Sequence, residues 1–211
     1  MTVQHQAFKP TAVLPVTENG YRADHLLVAQ MVEPGSKVLD VGCGEGDLLR
    51  LLETRGVDGR GIELSREGVN RCVARGLAVV QGDADTDLIN YPDDAFDYVI
   101  LSQTLQAMRH TEEIVAEMLR VGREVIVTFP NFGHWTHRWQ ILKGRMPVSE
   151  KLPYQWYDTP NIHLCTVADF DAFLRERNCV VENRVVLAGG RAVGVLPNLL
   201  GELAIYRFRR A

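Results

Sequence analysis

The stretch VLDVGCGEGD, Val38 to Asp47, decides the fold. With Lys37 it begins as KVLDV, a compact run rich in β-branched residues. Glycines follow at Gly42, Gly44 and Gly46, and the leucine-rich DLLRLLET starts at once. Such an order reads as a buried strand, a glycine turn and a helix. The missing side chains let the backbone approach a ligand closely and take positive φ where required. The first N–H groups of the following helix face whatever is bound there.

The same rhythm spreads outward. Upstream, Tyr21 to Glu33 suits a short helix closed by Pro34-Gly35, and residues 1–20, with Pro10, Pro15 and Gly20, read as a loose arm. Downstream, Gly56 follows the first helix and GRGIEL reads as a second strand. Ser65 caps the helix REGVNRCVAR, which stops at Gly76. LAVVQ, FDYVILS and EVIVTF read as strands three to five. Between the last two, a helix runs from Thr111 through Leu119, with Glu112 and Glu113 at the positive end of its dipole. Thr166 caps the helix VADFDAFLRER, and VVENRVVLA and ELAIYRF are two late strands joined by a loop. Alternation of this kind predicts one α/β domain over 21–211, a Rossmann-like, doubly wound parallel sheet. The last two strands have no helix between them and should pair antiparallel at one edge. Asn131 to Pro160 breaks the rhythm as an insert rich in aromatics and histidine, including His134, Trp135, His137, Trp139 and Trp156.

Composition narrows the function classes. The 211 residues are 46% hydrophobic and 24% charged, with a formal charge of −4. That is enough apolar material for a core without metal or disulfide staples. There is no long basic stripe, so a nucleic-acid footprint is not visible. Cys43, Cys72, Cys165 and Cys179 are scattered without zinc spacing, which reads as reduced thiols and no metal site. With no apolar h-region and no stretch of about 18 apolar residues, the expectation is a cytoplasmic chain with no membrane contact.

The glycine spacing then addresses the ligand. A dinucleotide fingerprint reads G-x-G-x-x-G; here it is G-x-G-x-G, with Asp40 before the turn and Glu45 inside it. Two acids sit poorly beside a pyrophosphate, which counts against a nicotinamide-dependent oxidoreductase. They suit a ligand with an ammonium and a sulfonium, as in S-adenosylmethionine. Glu63, 21 residues after Gly42, ends the second strand, where its two oxygens can accept both ribose hydroxyls. Asp83 and Ala84, after the third strand, can receive the adenine amino group and a ring nitrogen. Leu101, Ser102 and Gln103 end the fourth strand beside the same crevice. Singly, Asp40 reads as a cap, Glu63 as a solvated strand end and Asp83 as a turn former; together they read as a site. The predicted cofactor-binding set is Asp40, Gly42, Cys43, Gly44, Gly46, Glu63, Leu64, Asp83, Ala84 and Ser102. Cys43 is a small filler in the turn rather than a nucleophile.

These residues resemble motif I of the class I S-adenosylmethionine-dependent methyltransferases, which implies a seven-stranded sheet with an antiparallel last strand. The string from Phe129 to Thr166, FPNFGHWTHRWQILKGRMPVSEKLPYQWYDTPNIHLCT, resembles the MetW family of methionine biosynthesis proteins. That resemblance runs from about Tyr21 to the last strand. It implies S-adenosylmethionine or S-adenosylhomocysteine as ligand, and a MetX-like homoserine O-acyltransferase as the partner that the chain supports or activates. Arg120-Val121-Gly122 departs from the Pro-Gly-Gly turn that many such methyltransferases carry before strand five.

Two readings of function follow. As an interaction protein, the chain would contact the acyltransferase through the insert, where Trp135, Trp139 and Trp156 are candidate anchors, or through the N-terminal arm. As a methyltransferase acting on a small molecule, it would rely on positioning, with His134, His137 or His163 as a base if one faces the methyl group. No catalytic residue is assigned by the sequence.

Overall fold

The computed structural model describes residues 20–211, so the arm read over 1–20 lies, Gly20 apart, outside the described residues. Helix and strand alternate as α1 (Ala23–Met31), β1 (Lys37–Val41), α2 (Asp47–Glu53), β2 (Asp58–Glu63), α3 (Arg66–Ala74), β3 (Ala78–Gln81) and the single turn α4 (Ala84–Asp87). They continue as β4 (Phe96–Ser102), α5 (Thr111–Val121), β5 (Gly122–Pro130), α6 (Trp135–Leu142), α7 (Val167–Glu176), β6 (Cys179–Ala188), β7 (Arg191–Ala192), α8 (Pro197–Leu200) and β8 (Leu203–Arg210). The expected caps form: Ser65 Oγ accepts from the Gly68 amide, and Thr166 makes a capping box with Asp169.

The strands make one sheet in the order β3-β2-β1-β4-β5-β8-β6-β7. β1 to β5 pair in parallel, whereas β8 pairs antiparallel with both β5 and β6. The sequence reading of seven strands is thus one short, because the two-residue β7 folds back on β6 where too few residues exist to show a period. The expected antiparallel pair forms, but β8 lies inside the sheet. A single turn, α8, also interrupts the loop between β6 and β8.

Alternation along the central strands sorts side chains to two cores. Leu39, Val99, Leu101, Val125 and Val127 face the α5 and α7 side with Ile114, Met118 and Phe170. Val38, Tyr98, Ile100 and Ile126 face the α1 and α2 side with Leu27, Val28, Leu48 and Leu52. Each fully buried large side chain contributes about 1.5–3 kcal/mol. Phe129, Phe170 and Tyr206 mesh at ring-centroid distances of 4.8–5.8 Å. Asp40 occupies an inward position of the second face, one residue from the end of β1, and is 2% exposed. The period that buries Val38 buries this carboxylate.

Candidate functional site

The carboxyl ends of β1, β2, β3 and β4 open onto two adjoining clefts. The smaller, about 400 Å³, is lined by Gly42, Glu63, Leu64, Gly82, Asp83 and Ala84, all from the ends of β1 to β3. The larger, about 610 Å³, is lined by Arg22, Asp24, Ser102, Gln103, Tyr154 and Asn161, among others. Thr104, Ala107 and Pro160 line both, so the two adjoin. Six of the ten sequence-predicted site residues therefore line the clefts: Gly42, Glu63, Leu64, Asp83, Ala84 and Ser102.

The other four lie around the turn. Gly42, Gly44 and Gly46 all take left-handed φ, of 70°, 58° and 80°. A Cβ on Gly44 would meet nothing within 4 Å, so this position borders open space. A Cβ on Gly46 would lie 2.4 Å from Leu77 and 2.9 Å from Cys72, so that glycine serves packing between the turn and α3. Cys43 packs its sulfur over Gly61, where an added Cβ would be only 2.6 Å away; burial pushes its thiol far above the usual range, keeping it an inert S–H.

Glu63 ties the turn in place. Its Oε2 accepts from the Gly44 amide at 2.8 Å and its Oε1 from the Ser65 amide at 2.8 Å. Each oxygen keeps a lone pair for a further donor. Asp83 Oδ1 accepts from the Asp85 amide at 3.0 Å and caps α4. Glu45 is a correction. Expected to face a cationic ligand, it is instead ion-paired to Arg71 of α3 and to Arg75 just past its end, where Arg75 also reaches Asp47 at 2.8 Å. The pairing partners lie far along the chain, where local spacing gives no sign of them.

Asp40 is the electrostatically unusual carboxylate of the set. Its Oδ1 is buried without a hydrogen-bond partner. Burial pushes the carboxyl up to about 7; the Arg22 guanidinium pulls against this and the Glu63 charge adds to it. Nearby Asp24, 3% exposed, has partners that outweigh its burial. Arg22 is ion-paired to it and Gln103 Nε2 donates to Oδ2 at 2.9 Å, so its carboxyl stays below the ordinary value. Sequence reading missed Asp24, Arg22 and Thr104, whose places are set by contacts across the fold. It also missed Asp85, which accepts from the Arg109 and His110 amides at 3.1 Å and so fixes the loop over the smaller cleft.

The insert has an anchored base and an open rim. Asn131, fully buried, donates to Asn198 O and Gly201 O and accepts from the Gly133 and Val167 amides. His137 Nε2 meets Ser149 Oγ at 3.0 Å. His134 and His137 are 7% and 2% exposed, and burial holds both below the usual histidine range. Neither lines the clefts, nor does His163. The tryptophans face outward: Trp135 and Trp139 are each 52% exposed and Trp156 is 71% exposed. All four cysteines are free. No helix among the described residues is long and apolar enough to cross a membrane.

This architecture has known counterparts. The structure of an S-adenosylmethionine-dependent methyltransferase from Mesorhizobium loti superposes with a TM-score of 0.67 at 16% identity, covering 89% of this chain and 98% of that one. The fold is that of the class I methyltransferases. A relative from Rhodopirellula baltica, described as bifunctional methionine biosynthesis protein MetXA/MetW, is 34% identical across 89% of this chain and 32% of its own length. The ubiquinone/menaquinone biosynthesis C-methyltransferase UbiE of Burkholderia cenocepacia is 32% identical across 46% of this chain and 45% of its own. The chain thus spans less than half the length of either curated relative. The family model described as methionine biosynthesis protein MetW matches residues 22–208, and with that match the chain belongs to the MetW family.

Proposed function

We propose that this chain binds S-adenosylmethionine or S-adenosylhomocysteine in the adjoining clefts, and acts in methionine biosynthesis as a cytoplasmic accessory protein that supports a MetX-like homoserine O-acyltransferase. The observation that carries the cofactor half is the buried, unpartnered Oδ1 of Asp40 beside a glycine turn whose Gly44 faces open space. A ligand ammonium near Asp40 would compensate a charge that the folded chain leaves exposed to its own low dielectric. Glu63, with a lone pair spare on each oxygen, suits the ribose hydroxyls, and Asp83 with Ala84 suits the adenine edge. The residues present therefore fit the group.

The partner half is supported by the Rhodopirellula baltica relative, whose name joins MetXA and MetW in one chain. The exposed Trp135, Trp139 and Trp156 supply the kind of rigid apolar anchors that interfaces favour. Since S-adenosylmethionine is made from methionine, a ligand-dependent contact would report end product to an early step. Calorimetric titration of S-adenosylmethionine, alone and with the acyltransferase, tests both halves. Binding that changes when the partner is added supports a sensing subunit, because coupling is reciprocal. Binding indifferent to the partner removes the sensing role, and absence of binding removes the cofactor.

A second reading, methyl transfer to a small molecule, is favoured by the room left in the larger cleft beside Ser102. With none of the three candidate histidines at the clefts, such a reaction would rest on positioning. Release of label from methyl-labelled S-adenosylmethionine in the presence of candidate acceptors measures it.

A further inference from the structure

Beyond the end of β5, apolar side chains from several elements converge without filling the space between them. Leu105, Phe129, Leu152, Leu164, Phe170 and Phe173 line a pocket of about 160 Å³ that opens to solvent on one side. The rings cannot collapse into it. Phe170 is held against Phe129 and Tyr206 at centroid distances of 4.8 Å, and Phe173 stacks on Phe170 at 5.8 Å. A dry apolar cavity of about 150 Å³ accepts a molecule the size of benzene.

The polar residues of the wall can be accounted for one by one. Asp169 Oδ2 accepts from Thr166 Oγ1 at 2.7 Å and from the Thr166 amide at 3.3 Å. Cys165 donates to Thr166 O at 3.3 Å, and burial pushes its thiol up to about 12, so it stays neutral. His163 Nε2 lies 3.4 Å from Arg109 O. Two oxygens remain: Gln106 Oε1 and Thr111 Oγ1 are buried and have no partner. The Gln106 amide is oriented by its Nε2, which donates to Gln103 O at 2.8 Å and leaves Oε1 over. A buried oxygen without a donor carries a desolvation cost that an occupant can relieve.

A short segment borders the mouth of this pocket. The Ile162 and His163 amides both donate to Gln106 O, at 2.7 and 3.0 Å, and Leu164, 45% exposed, forms the outer wall. Gln106 also lines the larger cleft and is the one residue common to the two linings.

We infer that this cavity is a binding site for a small neutral molecule with an apolar body the size of a benzene ring and one hydrogen-bond donor at its end. Neutrality follows from the wall, whose carboxylate, Asp169, is already engaged by the Thr166 amide and hydroxyl and whose remaining lining is apolar or neutral. The donor answers the two unpartnered oxygens, and the size follows from the volume. The site is separate from the clefts and stands whether or not they hold S-adenosylmethionine.

Methyl-labelled protein titrated with benzyl alcohol and with toluene, followed by NMR, tests this. Both probes should move the methyls of Leu105, Leu152 and Leu164, with benzyl alcohol binding roughly tenfold more tightly. Thr111→Val should reduce that advantage several-fold while leaving toluene unaffected. Leu164→Trp, which fills the space from its exposed side, should abolish both with the melting temperature preserved. No movement of these methyls up to the solubility limit of either probe would overturn the site. Equal affinities for the two probes would overturn the donor-bearing class of ligand.

Discussion

Glu63 and Gly44 sit 2.8 Å apart through a carboxylate–amide hydrogen bond that joins the end of β2 to the glycine turn after β1. The same carboxylate also accepts from the Ser65 amide, so one side chain sets the height of the turn and the start of α3. Glu63→Ala is expected to cost about 1–3 kcal/mol of stability, since two amides lose a charged acceptor. It should weaken S-adenosylmethionine by roughly tenfold or more. Denaturant titration and calorimetry read the two effects separately. A variant with normal affinity would remove Glu63 from the ligand.

Gly44 and Gly46 should separate binding from folding. Both are left-handed, but only Gly46 is backed by Leu77 and Cys72. Gly44→Val is expected to cost roughly 1–2 kcal/mol in backbone strain and to abolish cofactor binding by filling the open side of the turn. Gly46→Val should lower the melting temperature substantially even without ligand. Retained binding in Gly44→Val would show that the turn is not the cradle.

Asp40 makes stability depend on pH in a direction opposite to most carboxylates. Its folded value of about 7 lies above the ordinary 3.8, so the unfolded chain releases the proton first. This group's contribution is therefore greatest below about pH 4 and falls as pH rises through 7, by a few kcal/mol in order of magnitude. Asp40→Asn should stabilise the ligand-free chain at pH 8 more than at pH 5. Thermal melts of both chains at both values check this, and an equal gain at the two pH values would contradict it.

The outward tryptophans carry the expectation about the partner. Trp135→Ser, Trp139→Ser and Trp156→Ser remove side chains that are half or more exposed, so melting temperatures should shift little. Affinity for the acyltransferase, measured by pull-down or interferometry, should fall by tenfold or more for at least one of them. Unchanged affinity in the triple variant would move the contact elsewhere.

Much of the frame was legible along the chain because its signals are local. β1 and β4 have the bounds read from KVLDV and FDYVILS, and the caps at Ser65 and Thr166 form as their residue types suggest. Glu63 ends its strand where the spacing from Gly42 put it. What spacing alone could not reveal was long-range pairing. Glu45 is drawn outward by arginines 26 and 30 residues away, as seen in its bonds with Arg71 and Arg75. Asp24 meets Gln103 across 79 residues. The insert showed its aromatics but not its anchor, because Asn131 reads as a loop residue until Asn198 and Gly201 close around it.

The interior position of β8 has a consequence for how the molecule is made. β6 joins the sheet only through β8, and β5 keeps a bare edge until residues 203–210 arrive. During synthesis β5 therefore leaves the ribosome before β8, with Val125, Ile126, Val127 and Phe129 on a strand that still lacks one neighbour. That interval is the one in which a chaperone, or a neighbouring nascent chain, competes for the seam. The buried Tyr206 and Phe208, arriving late, are the residues that end the competition.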